Sequence, residues 1–184
     1  MEGLIVYKSK YGATHQYACW AGQDLGLDIF TTNDLDHSQM NQSDFVVIGS
    51  SVYMGKLLIA DWLRQNTVVL QNKKLFLFIV CGTPASQAQK QRDIVSRNIP
   101  PQLLDRMDIF FLPGRLIINK LSWKDRLFLK MGTWLEKDPA KKKAMQRDIN
   151  EVKKENVVEL IRAAGKFTSG ATPLRHTEYL YKII

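Results

Sequence analysis

The chain has 184 residues, 45% of them hydrophobic and 24% charged, a composition that fits one globular domain with a sizeable core and excludes a disordered chain. No apolar run approaches the length of a membrane span, and two cysteines, Cys19 and Cys81, are too few for a disulfide framework. The formal net charge of +8, from 26 Lys and Arg against 18 Asp and Glu, points to an anionic partner.

In chain order, residues 3–8 read as a buried strand. Nothing before it resembles a signal peptide, so a cytoplasmic protein with reduced thiols is expected. Residues 13–25 read as a helix with Ala18, Ala21 and Leu25 on one face and Gly26 as its stop. A weaker strand at 28–32 precedes a polar stretch, 33–43, that is a loop or a short irregular helix. Phe45-Val46-Val47-Ile48-Gly49 is the continuous apolar run of a central parallel strand. A helix at 57–66 and a buried strand at 75–80 follow. Pro84 suits the first turn of a helix at 85–97, which Asn98-Ile99-Pro100-Pro101 ends. Residues 107–112 form a fifth strand, closed by Pro113-Gly114. A last amphipathic helix spans 148–164, with Ile149, Val152, Val157, Leu160 and Ile161 apolar and Gly165 after it. Such alternation implies a parallel sheet covered by helices on both faces.

The segment between the first strand and first helix carries the chemistry. Ser9-Lys10-Tyr11-Gly12-Ala13-Thr14 is a hydroxyl-bearing loop running into a helix N-terminus. Its amides, the helix dipole and the Ser9 and Thr14 hydroxyls suit a phosphate, and Gly12 lets the backbone approach it. Neither a Gly-x-x-x-x-Gly-Lys-Ser/Thr loop nor a Gly-x-Gly-x-x-Gly fingerprint is present. The other reading is an ordinary polar strand-to-helix turn. Sheets of this type bind ligands at the carboxyl ends of their strands, so this loop, Ser50–Gly55 and Cys81–Ser86 should meet on one rim.

Ser-x-Tyr-Gly-x-Thr together with these rim loops resembles the flavodoxin family. The resemblance implies bound FMN and a three-layer αβα sandwich over residues 1–165, whose five-stranded parallel sheet has order 2-1-3-4-5. It implies that Ser9, Lys10, Tyr11, Gly12, Ala13 and Thr14 hold the phosphate. Ser51, Val52, Tyr53, Met54 and Gly55 would flank the flavin ring, with Tyr53 or Met54 against it. Cys81, Gly82 and Thr83 would supply backbone contacts to the ring's polar edge. The reactive centre would be the flavin: no catalytic side chain or metal-ligand set is expected, and His15, His37 and His176 are scattered.

An insert at about 117–146 is far longer than the roughly two to six residues of most such connections. Between Arg115 and Arg147 stand ten basic side chains against Asp125, Glu136 and Asp138, so this stretch holds most of the net charge. Trp123, Leu127, Met131 and Trp134 fall at helical spacing, widened by Leu121, Phe128 and Leu135, with Lys124, Arg126 and Lys130 alongside. This is the pattern of a helix in a membrane interface, or equally of a cap over the domain's own sheet. Nucleic acid fits it poorly, because the aromatics form no stacking platform on a sheet.

Gly114-Arg115-Leu116, Leu121-Ser122-Trp123-Lys124-Asp125-Arg126-Leu127 and Lys130-Met131 are similar to the insert of the menaquinone-dependent protoporphyrinogen IX dehydrogenases. That resemblance implies an FMN-dependent oxidoreductase of heme biosynthesis. It would pass electrons from a porphyrinogen to a quinone or redox protein at the inner face of the cell membrane. Arg115 would then meet a substrate carboxylate or form a structural ion pair. Two other readings stay open: an electron carrier without its own substrate, and a cofactor-free interaction module. The tail, 166–184, would pair with a sheet edge, contact a second subunit in a homo-oligomer, or be loose.

Overall fold

The computed structural model describes residues 1–144 and 146–170; most of the tail considered above lies outside them. Five strands form a parallel sheet: β1 (Gly3–Lys8), β2 (Ile29–Thr31), β3 (Phe45–Tyr53), β5 (Lys74–Cys81) and β6 (Met107–Pro113). Their order is β2-β1-β3-β5-β6, and a short strand, β4 (Lys56–Leu57), pairs antiparallel with the end of β3. Counting the five parallel strands alone, this is the expected 2-1-3-4-5 order.

Strand alternation divides the core into two layers. Leu4, Val6, Val46, Ile48, Leu75, Leu77 and Ile79 face one side. There they meet α2 (His37–Gln42), α3 (Ala60–Gln65), α4 (Thr67–Leu70), α5 (Ala88–Asn98) and α6 (Pro101–Leu104) through Met40, Leu63, Leu70, Ile94 and Leu103. Ile5, Phe45, Val47, Phe76, Phe78 and Val80 face the other side. They bury Tyr17, Ala18 and Ala21 of α1 (Ala13–Leu25) and Leu160 and Ala164 of α9 (Val158–Thr168).

The helix read at 57–66 begins only at Ala60, because Leu57 pairs with Val52 in β4, and the helix read at 85–97 opens as a 3-10 turn at Ala85–Gln87 before α5. Three further boundaries differ because a specific partner intervenes. β3 runs on to Tyr53 because β4 pairs with its end across a two-residue turn, Met54-Gly55. The 148–164 helix does not begin where its apolar pattern does. Ile149 and Asn150 form β8 (Ile149–Asn150), antiparallel to β7 (Arg115–Leu116), and α9 starts only after a 3-10 turn at Lys154–Val157. Nor does α9 stop at Gly165. It continues to Thr168 because Phe167 packs edge-on against Phe45 and Phe76, so the folded unit passes the expected 165 boundary.

The insert is an excursion with a tied base. The β7–β8 ribbon clamps its two ends, and the Ile118 amide donates to Asp148 Oδ1 at 2.8 Å. Within it, α7 (Trp123–Leu135) is started by Ser122, whose hydroxyl accepts from the Asp125 amide at 3.2 Å. A short α8 (Pro139–Ala144) follows.

Candidate functional site

The sheet's strand order reverses between β1 and β3, and the crevice outside their carboxyl ends is where such folds bind ligands. Parallel registers bring Lys8 beside Ser50, Ser51 beside Val80 and Cys81 beside Pro113, so the rim loops leave the sheet at one level. They open on a cavity of about 620 Å³. Eleven of the predicted site residues line it: Ser9, Lys10, Tyr11, Ala13, Thr14, Ser51, Val52, Tyr53, Met54, Cys81 and Gly82. Gly12, Gly55 and Thr83 do not; they shape the loops behind it.

Gly12 caps α1 with φ +82°, a left-handed conformation that L side chains rarely adopt, and a Cβ there would lie 3.4 Å from Arg115 Nη2. Its amide donates to Ser9 Oγ at 3.1 Å, which folds the loop back on itself. No side chain caps α1, and its first turn holds no acid, so its positive end is left for something else. Arg115 donates to the Tyr11 carbonyl at 3.4 Å and adds a cation over the same loop. Thr14 is fully buried, and its Oγ1 has no hydrogen-bond partner. Ser51 Oγ, near the end of the neighbouring β3, is also buried and unpartnered. A buried hydroxyl without a partner costs about 1–3 kcal/mol, so two on one rim mark a place built for a polar ligand.

The second loop is held from behind. Met54 (φ +50°) and Gly55 (φ +76°) make a tight hairpin turn, and Asn98 secures it. Asn98 Oδ1 accepts from the Leu57 amide at 3.0 Å, while Nδ2 donates to the Gly55 and Ile94 carbonyls at 3.0 and 2.8 Å. In the third loop, the Thr83 carbonyl accepts from Gln91 Nε2 at 3.3 Å. Burial pushes the Cys81 thiol above its ordinary pKa, so it stays protonated beside the cavity.

The far wall comes from the insert, and sequence reasoning gave its residues no place in the site. Leu121, Phe128 and Leu129 of the insert line the cavity, Leu116 and Ile149 of the β7–β8 ribbon and the nearby Glu151 continue the wall, and Asp125 closes it. Asp125 is 8% exposed and takes three donors. Lys10 Nζ lies 2.7 Å from Oδ2, Tyr53 donates to Oδ1 at 2.6 Å, and the Tyr11 hydroxyl donates to Oδ2. Burial opposes ionisation of this carboxyl, but the bonds from Lys10, Tyr11 and Tyr53 outweigh it and hold its pKa well below the carboxylate range. The Lys10 ammonium sits 3.5 Å from the centroid of the Tyr53 ring. One face of the Tyr53 ring is therefore covered by Lys10. The one signal in the sequence was Asp125 itself, the lone acid of a basic helix, three residues after its Ser122 cap.

A family model described as a flavodoxin domain matches residues 4–143, more than half of the chain. The chain belongs to the flavodoxin-domain family. An uncharacterized protein of Methanocaldococcus jannaschii is 25% identical over 95 residues, covering 51% of this chain and 63% of the relative. The chain thus matches less than two thirds of that relative's length. Among solved structures, an archaeal flavodoxin is 18% identical, covering 70% of this chain and 90% of that one, with a TM-score of 0.42. A Bacillus anthracis azoreductase is 10% identical, covering 91% of this chain and 100% of that one, with a TM-score of 0.47. The family's flavin nucleotide fits the residues present: the orphaned Thr14 and Ser51 hydroxyls and the uncapped, acid-free start of α1 suit its phosphate and polar edge.

Proposed function

We propose that this flavodoxin domain is an FMN-dependent oxidoreductase. The observation that carries the reading is the unpartnered Thr14 hydroxyl at the uncapped positive end of α1, on the rim of a cavity of about 620 Å³. Ser9, Gly12 and Thr14 would hold the phosphate, with Arg115 supplying charge; the charge of Lys10 is already met by Asp125. Val52, Tyr53 and Met54 would flank the ring on one side, and the backbone at Cys81 and Gly82 would meet its polar edge. Leu116, Leu121 and Phe128 line the far side. When bound, FMN supplies one- and two-electron redox chemistry between a donor and an acceptor. The test is direct: protein purified with added FMN should keep a visible flavin band after desalting. A colourless protein with no FMN binding in a fluorescence titration would end this reading.

The narrower reading is a quinone-linked dehydrogenase acting on a porphyrinogen. It rests on the likeness of the insert to that enzyme family and on Arg115 as a partner for a substrate carboxylate. Turnover of a porphyrinogen with a menaquinone analogue tests it. A second reading, an electron carrier, is favoured by how few acid–base side chains the described cavity lining holds: it has no histidine and Asp125 is taken up by three donors, which leaves Glu151 as its other carboxylate. A carrier would bind flavin and show no such turnover.

A further inference from the structure

We propose that the outer face of α7 docks on the surface of an anionic lipid bilayer. The helix has two faces with different work. Its inner face, from the preceding Leu121 through Asp125 and Leu129 to Thr133, is turned to the domain. Its outer face carries the stripe Trp123, Leu127, Met131 and Trp134, exposed by 72, 52, 49 and 78%. The sequence equally allowed this stripe to cap the domain's own sheet. The fold uses the opposite side as the cavity wall and leaves the two tryptophans in solvent. Large apolar side chains gathered on one exposed helix face mark an interaction surface, and tryptophan favours a boundary between apolar and wet surroundings.

Charge selects the occupant. Lys124 and Lys130 lie on either side of the stripe at 3.6 residues per turn, and the segments flanking α7 add exposed Lys120, Lys137, Lys142 and Lys143 against Glu136 and Asp138. Asp125, the acid of α7, points inward and is paired with Lys10, so it offsets none of this surface charge. A second copy would bring two strongly basic segments together, which like charge opposes. A protein partner's interface core is depleted in lysine, whereas an anionic bilayer takes lysine at its headgroups and tryptophan just beneath. No described helix is long and apolar enough to cross a membrane, so the contact is peripheral. The β7–β8 ribbon and the Asp125 bonds hold α7 in place before it meets lipid. This inference does not rest on the flavin reading.

The test is flotation of the full chain with vesicles of equal parts phosphatidylglycerol and phosphatidylcholine, against pure phosphatidylcholine, with and without added FMN. Flotation with the anionic vesicles should exceed that with the neutral ones by more than about tenfold and fall at high salt. Trp123→Ser/Trp134→Ser should abolish it, and Lys124→Gln/Lys130→Gln should weaken it, both with unchanged circular dichroism. The lysine pair keeps the test open where the tryptophan pair fails to fold. Equal flotation on both lipids, none on either, or retention by both variants overturns the proposal. So does a concentration-dependent dimer, seen by sedimentation velocity without flotation and lost in the tryptophan variant; that result assigns the stripe to a second copy. Flavin absorbance of the same samples reads the cofactor separately, so failure here and failure of the FMN reading are distinguishable.

Discussion

Thr14 is where a bound anion would change the energetics of the protein. Its hydroxyl is buried without a partner, a cost that Val, nearly the same shape, would not carry. Thr14→Val should raise the stability of ligand-free protein by about 1 kcal/mol in urea unfolding. The same change should weaken FMN binding by roughly tenfold, as loss of a hydrogen bond to a charged group predicts. Opposite signs on the two measurements would identify Thr14 as a ligand-binding residue; a loss on both would make it structural. Asp125 governs the response to acid. Its folded pKa is depressed, so its stabilisation is complete above the ordinary carboxylate range, near pH 4, and is lost as pH falls through the lowered value. Asp125→Asn should therefore lose about 1–3 kcal/mol at pH 7 and show a flatter stability profile below about pH 4.

The hairpin of β3 and β4 and the insert helix α7 meet across the cavity, and each is fixed by one polar side chain. Asn98 holds the hairpin with three hydrogen bonds from a buried position in α5. Asn98→Ala would leave the buried Leu57 amide unmatched and free the Gly55 carbonyl, while the Ile94 carbonyl keeps its helical partner. A loss of about 2–3 kcal/mol in thermal or urea unfolding is expected. Faster amide exchange at Tyr53–Leu57 should accompany it, while β1 stays protected. Asp125 plays the corresponding part for α7, joining the insert to the tips of β1 and β3 through Lys10, Tyr11 and Tyr53. The two tyrosines therefore belong to both the phosphate loop side and the insert side of the cavity. A change in one element is felt by the other.

For the whole molecule, the two core layers carry the fold and the rim opens on the cavity. The rim's unmet hydroxyls and uncapped helix end are stability left unused without a ligand. FMN at a hundredfold excess over its Kd should add about 2.7 kcal/mol to stability. For a chain of this size that is roughly 5–10 °C in Tm. A thermal scan with riboflavin, which lacks the phosphate, should show a much smaller shift, since the α1 terminus and Thr14 would remain unmatched. An equal shift with both would place the binding energy in the ring contacts instead of the phosphate loop.

The sheet was legible from the chain because its strands are buried on both faces and read as unbroken apolar runs, and α1 because Gly12 and Gly26 bound a periodic segment. The shape of the first rim loop was legible for a local reason: Ser9 to Thr14 is contiguous, and Ser9 and Gly12 fold it within one turn. Residues such as Asp125 and Asn98 were not, because their work is done across long chain separations, Asp125 with Lys10 and Tyr53 and Asn98 with Gly55 and Leu57. The same limit explains Ile149, whose apolar spacing suits a helix but whose backbone pairs with Leu116. It also explains α7. Helical spacing shows that Trp123, Leu127, Met131 and Trp134 share a face, yet which face turns to solvent depends on where the ribbon and Asp125 seat the helix, a matter of packing that no local pattern contains.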